Sequence, residues 1–297
     1  MVSDQIRGMW AAMATPLDAD GGVDHTALAR HGQWLIEQGC DGVVPFGTTG
    51  EGPSFSATER LAGAEALLKA GIPATSIALG TGFPAIPDTV ALTRQALGLG
   101  LVHAMILPPY YFRQVSEQGL EDAFAAIVEG VASERLRATL YHIPTVSGVP
   151  VPPAVLGRLR RRYGKVIAGV KDSGGDFSVF LQFRAAAPDC SCLTGSEDQI
   201  ARALAAGGTG TICGMANLVP DLVRRMFTDP ATEPLMRAAI EPILAGGDVL
   251  PNLKAALAAL SGDGAWRAVR PPLRAADPAV GARIAAALQE LRSRRAA

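Results

Sequence analysis

The stretch "IAGVKDSGGDF", residues 167–177, is an apolar run that ends in a lysine and then breaks in a glycine-rich turn. Its apolar residues do not alternate with polar ones, so it reads as a strand covered on both faces. Counted as "VIAGVK" (166–171), it is one of eight such runs. The others are "WAAMAT" (10–15), "GVVPF" (42–46), "TSIALG" (75–80), "HAMILP" (103–108), "ATLYHI" (138–143), "SCLTG" (191–195) and "GTICG" (210–214). Helical stretches at 24–38, 58–70, 87–99, 117–131, 153–162, 176–186 and 198–206 separate them, several opened by a capping residue such as Asp24, Thr58 or Ser116. Doubly covered strands joined by single helices describe a parallel sheet, and eight of them suit a closed (β/α)8 TIM barrel. The expected division is a barrel at 1–225 that carries the active site and a C-terminal helical extension at 226–297. An open doubly wound sheet is the structural alternative. However, "GTTGEG" (47–52) does not follow the dinucleotide fingerprint, and it lacks the lysine of a phosphate-binding loop.

Composition narrows the partners. The chain of 297 residues is 48% hydrophobic and 19% charged, with a formal net charge of −1. This balance argues against nucleic acid and anionic membranes, both of which call for a concentrated basic surface. The one basic run, "RLRRRYGK" (158–165), falls at an expected helix end, where cations complement the dipole. No apolar run has the length of a membrane span, and the first residues lack a secretory h-region. Four cysteines (Cys40, Cys190, Cys192, Cys213) point to a reducing compartment, so the expected location is cytoplasmic. The Cys190/Cys192 pair has no nearby histidine or second pair to complete a zinc site.

Chemistry in a barrel collects where the strands end. Those ends carry "PFGTTGEG", "PPYY", "YHIPTVSG", "KDSGGD", "GSED" and "CGMAN", rich in hydroxyls and glycines and poor in metal ligands. Only four lysines occur, at 69, 165, 171 and 254, and only Lys171 ends an apolar strand. Burial there favours the neutral amine that imine formation with a carbonyl requires. A lysine that reaches solvent, or pairs with Asp172, fits the position equally well. Tyr141 ends the preceding strand and is placed to meet Lys171 over the barrel mouth as a proton shuttle, or to serve as an ordinary core tyrosine. His142 points to the opposite face by strand alternation and is expected to pack. The "GTTGE" turn offers backbone N–H groups and two threonine hydroxyls for a carboxylate or oxyanion. In "GSED", Ser196 and Gln199 have capping-box spacing, which makes a helix cap the leading reading there.

Together, "GTTGE" after strand two, "PPYY" after strand four, "YHIP…SG" after strand five and "GVKDS" at strand six resemble the dihydrodipicolinate synthase and N-acetylneuraminate lyase superfamily, in order and spacing across nearly the whole chain. The resemblance implies a (β/α)8 barrel, usually a homotetramer built as a dimer of dimers, and a lysine Schiff base with pyruvate or another 2-oxo acid. It implies Lys171 as the imine-forming lysine, Tyr141 as general acid/base and Thr48 as its hydroxyl relay. It also implies Thr49, with Gly47 and neighbouring backbone N–H groups, as the carboxylate site, and Tyr111 as the residue inserted into a neighbouring subunit's site. Val146, Gly195, Glu197 and Ile212 complete the expected substrate contacts. No metal or organic cofactor is implied.

Dihydrodipicolinate synthases carry an arginine two residues after the proline of the "Y-x-x-P" element, where this chain has Val146. A valine supplies no charge-assisted bond to a substrate carboxylate. Sialic-acid lyases tend to have a serine near the end of strand eight, where this chain has Gly214. The expected substrates are therefore pyruvate and an aldehyde, joined as a hydroxylated 2-oxo acid of the 2-keto-3-deoxy sugar acid or 4-hydroxy-2-oxo acid type. Dihydrodipicolinate synthesis, or dehydration of a 2-keto-3-deoxy acid on the same lysine, is the alternative.

Overall fold

The computed structural model describes residues 5–246 and 249–293. All eight expected strands form: β1 (Gly8–Ala12), β2 (Gly42–Val44), β3 (Ala78–Gly80), β4 (His103–Ile106), β5 (Arg137–His142), β6 (Ile167–Asp172), β7 (Ser191–Thr194) and β8 (Gly210–Cys213). They lie in one sheet in the order β2-β1-β8-β7-β6-β5-β4-β3, and every paired neighbour is parallel. A parallel bridge between Val43 and Ile77, with Gly80 N–H donating to the Pro45 carbonyl at 3.1 Å, joins the two ends. The sheet is a nearly closed TIM barrel.

Every residue of β2 to β8 is buried, which explains why these segments lack alternation in the sequence. Inside the barrel, Trp10, Val44, Met105, Tyr141, Leu193 and Ile212 pack into a compact plug. Outside it, Val170, Leu140, Phe180 and Phe183 belong to a second layer beneath the helices. Each buried side chain of this size contributes about 1.5–3 kcal/mol.

The expected helices form within a few residues of their expected bounds, at His25–Glu37, Ala57–Lys69, Ile86–Gly98, Glu117–Val131, Pro153–Tyr163, Phe177–Ala186 and Ile200–Ala205. Asp24 and Ser116 cap as expected, accepting from Ala27 N–H and Gly119 N–H. Thr58 does not cap. Ser56 does, two residues earlier than expected, in a full capping box with Glu59 just after a short 3-10 turn at Gly52–Ser54. Three arginines of the basic run are paired locally: Arg158 with Glu121, Arg160 with Asp189 and Arg162 with Glu129.

After Pro220–Arg225 come helices Glu233–Leu244, Val249–Ser261 and Pro278–Ser293. Met236, Ile243, Leu253, Leu257 and Ile284 join the core shared with β1, β2 and the first two helices. Among the described residues no single helix is long and apolar enough to cross a membrane.

Candidate active site

Parallel register sets Tyr141 of β5 directly beside Lys171 of β6. Both point into the barrel, while the next residues, His142 and Asp172, point outward by alternation. Lys171 is 3% exposed and Tyr141 2%. Lys171 Nζ donates to Tyr141 Oη at 3.3 Å and lies 4.3 Å from the centre of its ring. Tyr141 Oη donates in turn to Thr48 Oγ1 at 3.2 Å. Amine, phenol and hydroxyl thus form a continuous proton path at the strand ends. This arrangement answers the question left open by position alone: the lysine neither reaches solvent nor pairs with Asp172.

Thr48 sits in a tight turn bracketed by two non-glycine residues in the left-handed region, Phe46 (φ 58°) and Glu51 (φ 55°). Such positions cost about 1–3 kcal/mol each and persist only when surrounding contacts over-determine them. Phe46 is held edge-to-face by Phe55. Glu51 is held by the C-terminal layer: Lys254 Nζ lies 2.7 Å from Glu51 Oε1 and also donates to the Thr15 carbonyl at 2.9 Å, and Arg270 N–H donates to Glu51 Oε2 at 3.0 Å. Both side chains of the Glu51–Lys254 pair are fully buried. Burial lowers the Lys254 pKa and the Glu51 charge opposes that shift. This buried pair was not among the residues expected from the sequence.

A cavity of about 1370 Å³ opens over the strand ends. Thr48, Thr49, Tyr141, Val146, Lys171, Gly195, Glu197 and Ile212 line it. Gly47 does not: it lies behind the turn, where a Cβ would meet Met105 at 2.9 Å. Tyr111 lies away from this chain's own lysine, 78% exposed and edge-to-face with Phe112. At Gly195 a Cβ would stand 2.0 Å from Ser173 Oγ and 3.1 Å from Lys171 Cε, so glycine makes room for the lysine stem.

The "GSED" segment departs from its expected role. Ser196 makes no side-chain cap; its N–H donates to Thr194 Oγ1, the chain enters a 3-10 turn, and Gln199 Nε2 donates to the Gly175 carbonyl. Glu197 is the residue of this segment that bonds across to the next strand end. Its Oε1 accepts from Gly214 N–H and Met215 N–H, both at 3.0 Å, which fixes the turn after β8 opposite Thr49. Burial raises the Glu197 pKa, and those N–H groups and the Lys171 charge oppose the shift.

His142 packs as expected, edge-to-face on Phe183, with Nδ1 accepting from Val151 N–H. Burial lowers its pKa. Beside it, 3.9 Å from His142 Nε2, Asp172 is pushed up to about 6 by burial, against the Gly174 N–H that donates to it.

A buried lysine beside a tyrosine–threonine relay, at the C-terminal end of a TIM barrel, defines a class I lyase of the aldolase type. Residues 5–241 match the model of the dihydrodipicolinate synthetase family, and the chain belongs to that family. It is 36% identical over 258 residues to an uncharacterized DapA-like lyase of Chloroflexus aurantiacus, covering 84% of this chain and 86% of that one. A 4-hydroxy-tetrahydrodipicolinate synthase of Acidiphilium cryptum is 32% identical, covering 74% and 73%. Among solved structures, dihydrodipicolinate synthase from Agrobacterium tumefaciens superimposes with a TM-score of 0.91 at 33% identity, covering 96% of this chain and 99% of that one.

Proposed function

We propose that the protein reversibly cleaves a 4-hydroxy-2-oxo acid to pyruvate and an aldehyde through an imine on Lys171. The observation that carries this reading is the relay from Lys171 Nζ to Tyr141 Oη at 3.3 Å and on to Thr48 Oγ1 at 3.2 Å. The Lys171 amine adds to the C2 carbonyl and water leaves. The iminium then draws electrons from the adjacent bond. Tyr141 takes the proton of the C4 hydroxyl, the C3–C4 bond breaks, its electron pair enters the enamine, and the aldehyde departs. Protonation at C3 and hydrolysis of the imine release pyruvate. Thr49 and the N–H groups of its turn hold the carboxylate.

Val146 speaks against dihydrodipicolinate synthesis, because its position lines the cavity without a charge to meet a second carboxylate. Tyr111 and Phe112, exposed side by side, support insertion of Tyr111 into a second copy's site within a dimer of dimers.

Borohydride reduction with pyruvate, followed by intact and peptide mass spectrometry, tests the reading. A reduced pyruvyl adduct on Lys171, lost in Lys171→Ala with the fold retained, is the expected result. No adduct, under conditions that label a known family member, refutes it.

A further inference from the structure

Resting on that Schiff-base reading, we infer that the outer part of the cavity is an uncharged hydrocarbon subsite, so that the aldehyde released carries an alkyl or aryl tail rather than a carboxylate, phosphate or polyhydroxylated chain. The cavity exceeds the ~300–1,000 Å³ of ordinary small-molecule sites, so most of it lies beyond the pyruvyl end. Of the large hydrophobic side chains that remain exposed on the described chain, Val146, Leu244, Val249 and Leu273 all line this one cavity. Ile143 and Leu250 continue the same wall. Clustered exposed apolar groups mark a binding surface, whereas scattered ones do not.

Charge points the same way. Among the described lining residues, three carboxylates (Glu197, Asp198, Glu241) face two cations (Lys171, Arg237). Imine formation commits Lys171 to the oxo-acid end. Arg237 is already paired, with Glu233 at 2.7 Å and Asp198 at 3.6 Å. Arg113 packs against Gly148 and does not line the cavity. Among the described residues, a second anionic group on the substrate would therefore enter an apolar, net acidic space whose one remaining cation, Arg237, already serves two carboxylates, at the desolvation cost of a poorly paired charge.

The test is aldol synthesis with saturating pyruvate and matched aldehydes. Butanal and succinic semialdehyde have the same chain length and differ by a methyl against a carboxylate, and glyceraldehyde and benzaldehyde extend the panel. The expected result is a kcat/KM for butanal and benzaldehyde at least about tenfold above those for succinic semialdehyde and glyceraldehyde. Val146→Arg should narrow or reverse the butanal-to-succinic-semialdehyde ratio. A Lys171 adduct without preference for butanal over its carboxylate analogue overturns the subsite and leaves the Schiff-base chemistry standing. Absence of the adduct overturns both.

Discussion

Lys254→Met removes an ammonium group from a fully buried pair while keeping an unbranched stem of similar length. Glu51 Oε1 then loses its 2.7 Å partner, and the Thr15 carbonyl loses the donor at 2.9 Å. Arg270 N–H still reaches Glu51 Oε2, so the carboxylate is left half-satisfied. Removing one member of a buried pair costs about 3–5 kcal/mol. Against a total stability of about 5–15 kcal/mol, the variant should fold with a much lower urea midpoint and an unchanged m-value. The loss should also reach the chemistry. Glu51 N–H donates to the Thr48 carbonyl at 3.1 Å, and Thr15 Oγ1 donates to the Gly50 carbonyl at 2.8 Å, so loosening Glu51 loosens the turn that carries the relay. The adduct with pyruvate should still form, while kcat falls. Adding Glu51→Gln should restore a large part of the stability, because the uncompensated charge is then gone. A single-variant loss below about 1 kcal/mol, or a double variant no better than the single one, would refute the argument that charge compensation is what holds the turn.

Three further outcomes follow from the same geometry. Tyr141→Phe should form the reduced pyruvyl adduct yet slow carbon–carbon cleavage by about 10²–10⁴, read by single-turnover kinetics; cleavage at the parent rate would assign the proton to another group. Gly195→Ala should slow adduct formation, because its Cβ would meet Ser173 Oγ at 2.0 Å and Lys171 Cε at 3.1 Å, and Ser173→Gly in the same chain should recover part of that rate. Asp172 is raised by burial to about 6 from an ordinary 3.8, so between those values the folded chain holds a proton that the unfolded chain releases. Its contribution to stability therefore falls as pH rises through that window, by roughly 3 kcal/mol, and is level above it. Asp172→Asn should be more stable than the parent at about pH 7.5 and close to it at about pH 4 by urea unfolding; an equal gap at both values contradicts the assignment.

The barrel was legible because its strands are covered on both faces, which leaves an uninterrupted apolar run in the sequence. Lys171 and Tyr141 were legible for the same reason, as polar residues ending such runs on consecutive strands. Capping was less so. The serine-to-glutamate spacing that defines a capping box is present at Ser56 and Glu59, two residues before the expected cap at Thr58. Similar spacing at Ser196 and Gln199 makes no cap, because Thr194 takes the Ser196 N–H and the chain turns into a 3-10 segment. Local rules tell which residues suit a cap; neighbouring turns decide which one is used.

The Glu51–Lys254 pair and the apolar wall were hidden for a different reason. Their partners lie far apart in sequence, Glu51 and Lys254 being 203 positions apart, and no local periodicity encodes such a meeting. One sign was available: in "PNLKAALAAL" (251–260) apolar residues cover the helix all round, which marks a buried helix and makes its lone lysine an ammonium in need of an anion. The structure buries every residue from Pro251 to Ala258. That helix and its neighbour Glu233–Leu244 therefore meet the site in two ways, gripping the Thr48 turn from behind through Lys254 and supplying Leu244 and Leu250 to the wall in front. Changes in these helices should therefore shift aldehyde preference and turn rigidity without touching Lys171 or Tyr141. The strands place Lys171 beside Tyr141, and the C-terminal layer supplies much of the wall above them.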